Sequence, residues 1–499
     1  MLSFIDTHAI RSMKVLLFIN SSFNPVSLDE IINEIGSVKR TTYTLLELLK
    51  TEVNQCDFNL VEDKNRNYYL VAKDKRREVD LNLYLLVCGE SSLFFTMIKE
   101  IYERGFINIY NFCREHYISH PTFSRAKANL NKLLKLCYLN ITIQKDYKIV
   151  GNEYRQRIFY YQFFEGFYGT LRWPFEKKVE KEIIDFCTFS RAIFFEQVSE
   201  ENQYKIYYML AIMRDRNLKG RKVKKTTYSF ENHSLYEDVY KFVQIFLKKW
   251  TNQDHETIKR ETTFFFCFLY TEDLLSSRNE PIENLLSAAI DNQQMYYLNS
   301  LWIKVFTSCF ERVLTEKQKI NWFKEVTNIH LKLELIYFDR ELFMKNQYQI
   351  KDVLFNDEIY KKTESFVSHL LENDLYFNYK EKNLKEISIT TIINHYYHYI
   401  YKFFIGEKKN DLVTLFVSDS IEVIEKQILE KKLKLLFGEK IKISKFLGQG
   451  EELVVTSRNL NLLTAKSIVV YSVSDLRNFK KIVNAVEREL YSKAFDTIN

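Results

Sequence analysis

The sequence predicts a mainly α-helical, multidomain protein: two N-terminal winged helix-turn-helix units, two all-helical blocks and a small C-terminal α/β domain. Three observations carry that expectation. Residues 106–150 run as a short helix, a tight turn, a longer helix and two alternating apolar runs, the order of a winged helix-turn-helix. From about Trp173 to Ile400 the apolar residues keep helical spacing without Gly-rich loops or hairpins, as helical bundles do. From Leu412 onward short apolar runs alternate with helical stretches, which implies a parallel α/β sheet.

The first winged unit is expected within residues 1–75. Ser27-Leu28-Asp29-Glu30 is a capping-box pattern that opens a helix to Ile35, and Gly36 breaks it. Val38, Leu45 and Leu49 continue as a buried stripe, so Lys39, Arg40, Tyr43 and Thr44 face outward. Phe58-Asn59-Leu60-Val61 and Tyr68-Tyr69-Leu70-Val71 flank Asp63–Asn67 as a hairpin.

The second unit is expected within residues 76–165. A long helix from about Leu81 to Glu103 leads into it, with Leu83, Leu86, Val87, Phe94, Ile98 and Ile101 turned inward. Ile109–Tyr117 forms about two turns of helix, and Ile118 separates it from the capping residue Ser119. Pro121 takes the first helical position, where its missing N–H is harmless. Phe123, Ala126, Leu130, Leu133 and Cys137 make the buried stripe, leaving Thr122, Ser124, Arg125, Asn129 and Lys132 on the outer face beside Lys127. Leu139–Ile143 and Tyr147–Val150, about a Gln144-Lys145-Asp146 turn, form the wing.

Charge gives that outer face a partner. Residues 121–150 hold Arg125, Lys127, Lys132, Lys135, Lys145 and Lys148 against Asp146 alone, a local +5 in a chain of formal charge +7. A basic helix face supplies the sequence-independent, salt-sensitive part of affinity for double-stranded DNA, and hydroxyl and amide groups at the helix start reach base edges.

Composition bounds the remainder. A chain of 499 residues with 46% hydrophobic content has room for three to five packed domains. Gly 11 and Pro 4 against Tyr 33 and Phe 40 exclude collagenous or disordered character. The longest tight apolar run is Phe264–Tyr270, far short of the roughly 18 residues of a membrane span. Asp6, His8, Arg11 and Lys14 interrupt the N-terminal apolar stretch, which argues against a cleavable signal and for the cytoplasm. Seven scattered cysteines without a CxxC predict neither a zinc site nor disulfides. No Walker loop, GxSxG elbow or HExxH is present, and His116 and His120 straddle the turn, so neither an enzyme nor a cofactor is expected.

The helical blocks divide as 170–280 and 281–405, at the Ser276–Pro281 breaker. His395 and His398 lie three apart on a helix, but without a neighbouring carboxylate or cysteine they read as aromatic packing, not as a metal site. The α/β domain is expected over 408–499. Its strands fall at Leu412–Val417, Ile441–Ile443, Leu453–Val455 and Ser467–Tyr471, and its helices at Glu422–Leu436 and from Asp475.

Two winged units followed by Val150-Gly151-Asn152-Glu153-Tyr154-Arg155-Gln156-Arg157-Ile158-Phe159-Tyr160-Tyr161-Gln162-Phe163-Phe164 resemble the Mga/AtxA group of transcription regulators of low-GC Gram-positive bacteria. In that group a similar Gly-x-Glu-x-x-Arg with an aromatic run closes the second winged domain. The resemblance implies a DNA-binding regulator, by the group's habit an activator, with two helical phosphotransferase-regulation (PRD-like) domains and a C-terminal domain like the phosphotransferase IIB unit. It implies transient phosphocarrier partners and phosphoacceptor histidines, for which the blocks offer His233, His255, His330 and His395, besides His369 and His398. A working IIB unit carries a cysteine just after its first strand, whereas Ser418-Asp419-Ser420 stands there and no cysteine follows Cys309. The domain therefore reads as a degenerate one kept for association or sensing, with a homodimer formed through it. A plasmid-type replication initiator with tandem winged domains, the alternative, has no need of such a tail, and an RNA-binding antiterminator opens with a small β-rich domain.

Overall fold

The computed structural model describes residues 2–22, 24–142, 146–190, 198–224, 230–231, 233–275, 293–310, 314–335, 357–385, 387–404, 413–448, 450–458, 466–473 and 475–496. They form two compact units, one built from Met1–Lys99 and Lys402–Asn499, the other from Glu100–Phe338 and Asn356–Tyr401. The chain is mainly helical and multidomain.

The first unit begins with α1 (Thr7–Ser21), β1 (Val26–Ser27), α2 (Leu28–Ile35), α3 (Lys39–Glu52), β2 (Phe58–Glu62) and β3 (Asn67–Ala72). The strands pair antiparallel in the order β1-β3-β2, with Val26 opposite Tyr68 and Leu60 opposite Leu70. This is the element order of a winged helix-turn-helix, and its local grammar explains it. Ser27 Oγ accepts from the Glu30 amide while the Glu30 carboxylate accepts from the Ser27 amide at 2.8 Å, a complete capping box. Gly36 ends α2 at φ 60°, a left-handed position that glycine takes without Cβ strain. The buried stripe of α3 is Thr42, Leu45, Leu46 and Leu49. Val38, expected in that stripe, is the N-cap and lies 67% exposed, because the helix starts one residue after it. Helix α1 buries Met13, Val15, Leu16 and Ile19, so the interrupted apolar stretch that argues against a signal is a core helix.

The long helix expected over Leu81–Glu103 is two helices, α4 (Asn82–Ser91) and α5 (Leu93–Arg104). The break falls at Ser92, whose extended backbone (ψ 137°) ends α4 while its carbonyl accepts from the Thr96 amide. The kink turns Phe95 and Met97 into the core in place of Phe94.

The C-terminal part of this unit holds β8 (Val413–Val417), α18 (Val423–Phe437), β9 (Ile441–Ile443), β10 (Leu453–Thr456), β11 (Lys466–Val469) and α19 (Leu476–Asp496). All strand pairs are parallel, in the order β11-β10-β8-β9. The chain leaves β8 toward β9 on one side and β10 toward β11 on the other, so the carboxyl ends of β8 and β10 frame a topological switch point, where such sheets place ligands. Here the crevice is filled by the chain itself. Ser420 Oγ lies 3.1 Å from Thr456 Oγ1 and accepts from the Ser457 amide at 3.0 Å. The Asn82 side chain donates to the Ser457 carbonyl, and the Leu81 amide to the hydroxyl of Tyr471. The Ser418-Asp419-Ser420 loop is thus committed to internal hydrogen bonds.

The second unit contains β4 (Ile107–Asn108), α6 (Ile109–Glu115), α7 (His120–Leu136), β5 (Asn140–Ile141), β6 (Asp146–Tyr147) and β7 (Ile149–Val150), then α8 (Glu153–Tyr168). Helices α9 (Lys177–Ser190), α10 (Glu200–Leu218), α11 (Tyr236–Lys248) and α12 (His255–Thr271) follow. Five more come after them: α13 (Gln293–Cys309), α14 (Glu316–Leu335), α15 (Asp357–Leu371), α16 (Asp374–Asn383) and α17 (Ile389–Phe404). The Ser276–Pro281 breaker lies outside the described residues. Trp302 centres the later helices, its ring meeting those of Trp322, Phe366 and Tyr396.

Helix α8 is buried on nearly every face, which explains its unbroken aromatic run. Charged groups are buried with it, Arg157, Arg216 and Glu261 among them, and the partly covered Glu153 joins them. Arg157 Nη2 donates to Glu261 Oε1 at 2.9 Å and to the Arg221 carbonyl at 2.9 Å, and its Nε reaches Glu153 at 3.0 Å. Arg216 holds the two Glu153 oxygens at 2.8 and 2.6 Å. The arginine that answers Glu153 along α8 is therefore Arg157, one helical turn on. Burial alone would lower the Arg157 guanidinium, but Glu261 and Glu153 overcome it and leave it raised.

Candidate nucleic-acid interface

Residues 107–150 repeat the first winged unit. Ile107 pairs with Tyr147 and Ile141 with Ile149, so β4 and β5 flank a third strand broken into β6 and β7. Asn108 Oδ1 caps α6 by accepting from the Tyr110 and Asn111 amides at 3.2 and 3.3 Å. Ser119 caps α7, with His120 first in the helix and Pro121 second, one place later than the sequence suggested. Asn131 Oδ1 accepts from the Ile141 amide at 2.7 Å, which ties α7 to the wing. The Gln144-Lys145 part of the wing turn lies outside the described residues.

The outer face of α7 presents Thr122, Ser124, Arg125, Asn129 and Lys132, all exposed. Lys127 is half-buried, with its ammonium 4.5 Å from the Tyr147 ring centre, so it braces the wing more than it faces outward. The inner stripe is Phe123, Ala126, Leu130, Leu134 and Cys137. Leu134 stands in place of Leu133, because a 3.6-residue period drifts past the simple three-and-four spacing used to place it. In the first unit Lys39, Arg40, Tyr43 and Thr44 are likewise exposed on α3.

The turn between α6 and α7 shows what the sequence did not. Helix α6 ends at Glu115, not at Tyr117, and Tyr117 adopts φ 53° while lying 96% exposed. The Ile118 amide donates back to the Cys113 carbonyl at 3.0 Å, closing the turn. Gly36 fills the corresponding left-handed place between α2 and α3. A tyrosine here costs about 1 kcal/mol or more of backbone strain and recovers nothing by burial. The ring is thus available to a partner at the corner of the helix pair. Tyr117→Gly should raise stability by about 1 kcal/mol while weakening duplex binding roughly fivefold, the worth of one hydrogen bond to a phosphate. Urea midpoints and anisotropy titrations read the two effects, and a variant that binds as well as the parent would remove Tyr117 from the interface.

Gly151 joins the wing to α8 at φ 143°, and a Cβ there would lie 2.6 Å from Leu139 Cδ2 and 3.3 Å from the Tyr138 carbonyl oxygen. Glycine is therefore required where the aromatic signature begins.

Nearby, Glu100, Glu115 and His116 bring ligand-type atoms within 4.8 Å of one another. Arg104 Nη1 already sits 3.3 Å from Glu100 and 3.2 Å from Glu115, supplying the positive charge that a cation would bring.

The histidines separate by burial. His330 is wholly buried, with Nδ1 3.1 Å from Asn299 Oδ1 and Nε2 3.0 Å from the Tyr396 hydroxyl, and burial pushes its imidazole down to about 3. His233 is 3% exposed, its Nδ1 accepting from the Leu235 amide at 3.2 Å. His395 is half-buried, whereas His255 is exposed at the first position of α12.

Comparison with known proteins falls on this same stretch. The family profile described as the Mga helix-turn-helix domain matches residues 78–164. A protein of Streptococcus pneumoniae serotype 4 (strain TIGR4), provisionally assigned as a trans-acting regulator, is 31% identical over 85 residues, 17% of this chain and 17% of that relative. Among the described residues no helix is long and apolar enough to cross a membrane. Residues 78–164, comprising α4, α5, the second winged unit and most of α8, are thus similar to the helix-turn-helix domain of the Mga family.

Proposed function

We propose that the chain is a DNA-binding transcription regulator that reads duplex DNA chiefly through α7, with α3 assisting. The observation that carries this reading is the exposed face of α7, where Arg125, Lys132 and Lys135 and no acid accompany Thr122, Ser124 and Asn129 in a stretch that matches the Mga helix-turn-helix domain. Affinity for a target duplex should fall linearly with salt on logarithmic axes. Binding of the full-length chain that ignored salt, or preferred single-stranded RNA, would overturn the assignment.

We further propose that the helices of 170–280 and 281–405 are PRD-like, that the C-terminal domain is IIB-like, and that the chain works as a homodimer addressed by phosphocarrier proteins. His255 is the favoured acceptor. It is exposed at the start of α12, where a helix N-terminus stabilises added negative charge, while His233 and His330 are shielded by burial and His395 is half-covered. For association, Leu435 and Leu436 on α18 lie 68% and 55% exposed, an apolar pair suited to a second copy. The parallel sheet order supports the IIB comparison, and the internally bonded Ser418–Ser420 loop supports loss of its phosphotransfer chemistry. Native mass spectrometry before and after incubation with phosphoenolpyruvate and phosphocarrier proteins reads phosphate count and oligomeric state together. A dimer gaining phosphate on histidine is expected, and an unmodified monomer in both conditions would remove this second proposal while leaving DNA binding intact.

A further inference from the structure

His120 is the first residue of α7 and is exposed. Its neighbours in the first turn are otherwise engaged. The Ser119 and Thr122 hydroxyls lie 2.8 Å apart, and Ser119 Oγ also accepts from the Thr122 amide at 3.2 Å. Pro121 has neither a side-chain donor nor an N–H. Among the described residues no hydrogen bond or ion pair involves the His120 imidazole, so its ring nitrogens are open to a partner. The ring is nonetheless held in place. Tyr110 on α6 meets it edge to face, with ring centroids 5.0 Å apart and planes at 63°. Tyr110 is placed in turn by the Asn108 cap, whose Oδ1 accepts from the Tyr110 amide at 3.2 Å. With 67% of its surface exposed, Tyr110 braces the imidazole from outside the core.

The geometry points to His120 as a specificity-determining residue of the duplex interface, donating from its imidazole to the major-groove edge of one guanine. The inference rests on the DNA-reading role proposed for α7. In a helix-turn-helix the first residues of the second helix are the ones that meet base edges. An N–H donor suits guanine best, because N7 and O6 present two acceptors side by side, whereas adenine sets an N6 donor beside its N7. A ring already oriented by Tyr110 loses little freedom on meeting the base. Lys39 takes the corresponding place on α3, three residues after Gly36 as His120 is three after Tyr117. The second winged unit thus carries a planar ring where the first carries a flexible point charge, which suits base reading in the one and phosphate contact in the other.

Selection of duplexes from a random library by the full-length chain, followed by anisotropy titration of the selected site, tests it. The parent should select a guanine at one position that His120→Ala leaves open. Affinity of that variant for the selected duplex should fall roughly fivefold, the worth of one hydrogen bond. Replacing the guanine by 7-deazaguanine, which lacks the N7 acceptor, should weaken the parent and leave His120→Ala unmoved. His120→Gln should shift the preference at the same position to adenine, whose N6 and N7 a carboxamide matches, a switch that loss of folding cannot produce. Tyr110→Leu should relax the guanine preference while duplex binding persists. Identical selected sequences for the parent and both His120 variants would overturn the inference and leave the DNA-reading proposal standing, whereas a parent that retained no duplex would overturn both.

Discussion

Replacing Arg125 and Lys132 together by alanine should flatten the salt dependence of duplex binding and weaken it at moderate salt, with little change in stability. Both side chains project from the outer face of α7, and among the described residues neither has an ion-pair partner. Their removal therefore takes nothing from the fold. Each phosphate contact contributes about 0.9 to the slope of log K against log salt, so losing two should reduce the slope by about 1 to 2. If Arg125 reaches a base edge instead, the same substitution costs about 1–3 kcal/mol at one sequence position and leaves more of the slope in place. Lys39→Ala with Arg40→Ala provides the comparison and should have the smaller effect. Helix α3 carries Glu47 and Glu52 beside its cations, and Lys50 is tied to Glu47 and Glu62 at 2.6 and 2.7 Å, whereas α7 has no acid along its length. An unchanged slope in the Arg125/Lys132 variant would remove α7 as the DNA-reading helix.

What was legible in the sequence was local. The Ser27 capping box, the Ser119 cap and the alternating hairpin runs are written in residues a few positions apart, and the elements form where those signals stand. Local signals mislead where two of them overlap. Apolar spacing continues straight through Ser92, so one helix was expected where the chain makes two. Leu133 and Leu134 both fit an inward stripe until seventeen residues of helix fix the phase. Tyr117 looked like one more helical residue, since nothing in a tyrosine announces a left-handed backbone. Tertiary partnerships were beyond reach for another reason. That Asn82 would meet Ser457, or Lys481 face Glu78, depends on segments almost 400 residues apart, and no periodicity encodes such a meeting. The burial that separates His255 from His330 likewise follows from packing, not from neighbouring residues.

The largest stability effect should come from Glu261→Ala. Glu261 is fully buried on α12, where it receives Arg157 through both terminal guanidinium nitrogens and the Val223 amide at 3.1 Å. Deleting the carboxylate leaves Arg157 charged and wholly buried, answered by the Arg221 carbonyl and by Glu153, which Arg216 already shares. Breaking one partner of a buried ion pair typically costs about 3–5 kcal/mol, because the survivor keeps its desolvation penalty. Glu261→Gln should cost less, since the amide oxygen can still accept one of the hydrogen bonds. Arg157→Met with Glu261→Leu should recover much of the loss by removing both charges together, so the double-mutant cycle would show strong coupling. Because Arg157 and Glu153 lie on the helix that follows the wing, while Arg216 and Glu261 belong to α10 and α12, the network joins the second winged unit to the helical block behind it. Hydrogen exchange in α8 and α10 should therefore accelerate in Glu261→Ala well before the hairpin of the first winged unit is affected. A urea midpoint shifted by less than about 1 kcal/mol, the size of an ordinary surface pair, would show that the network is not what holds these helices together.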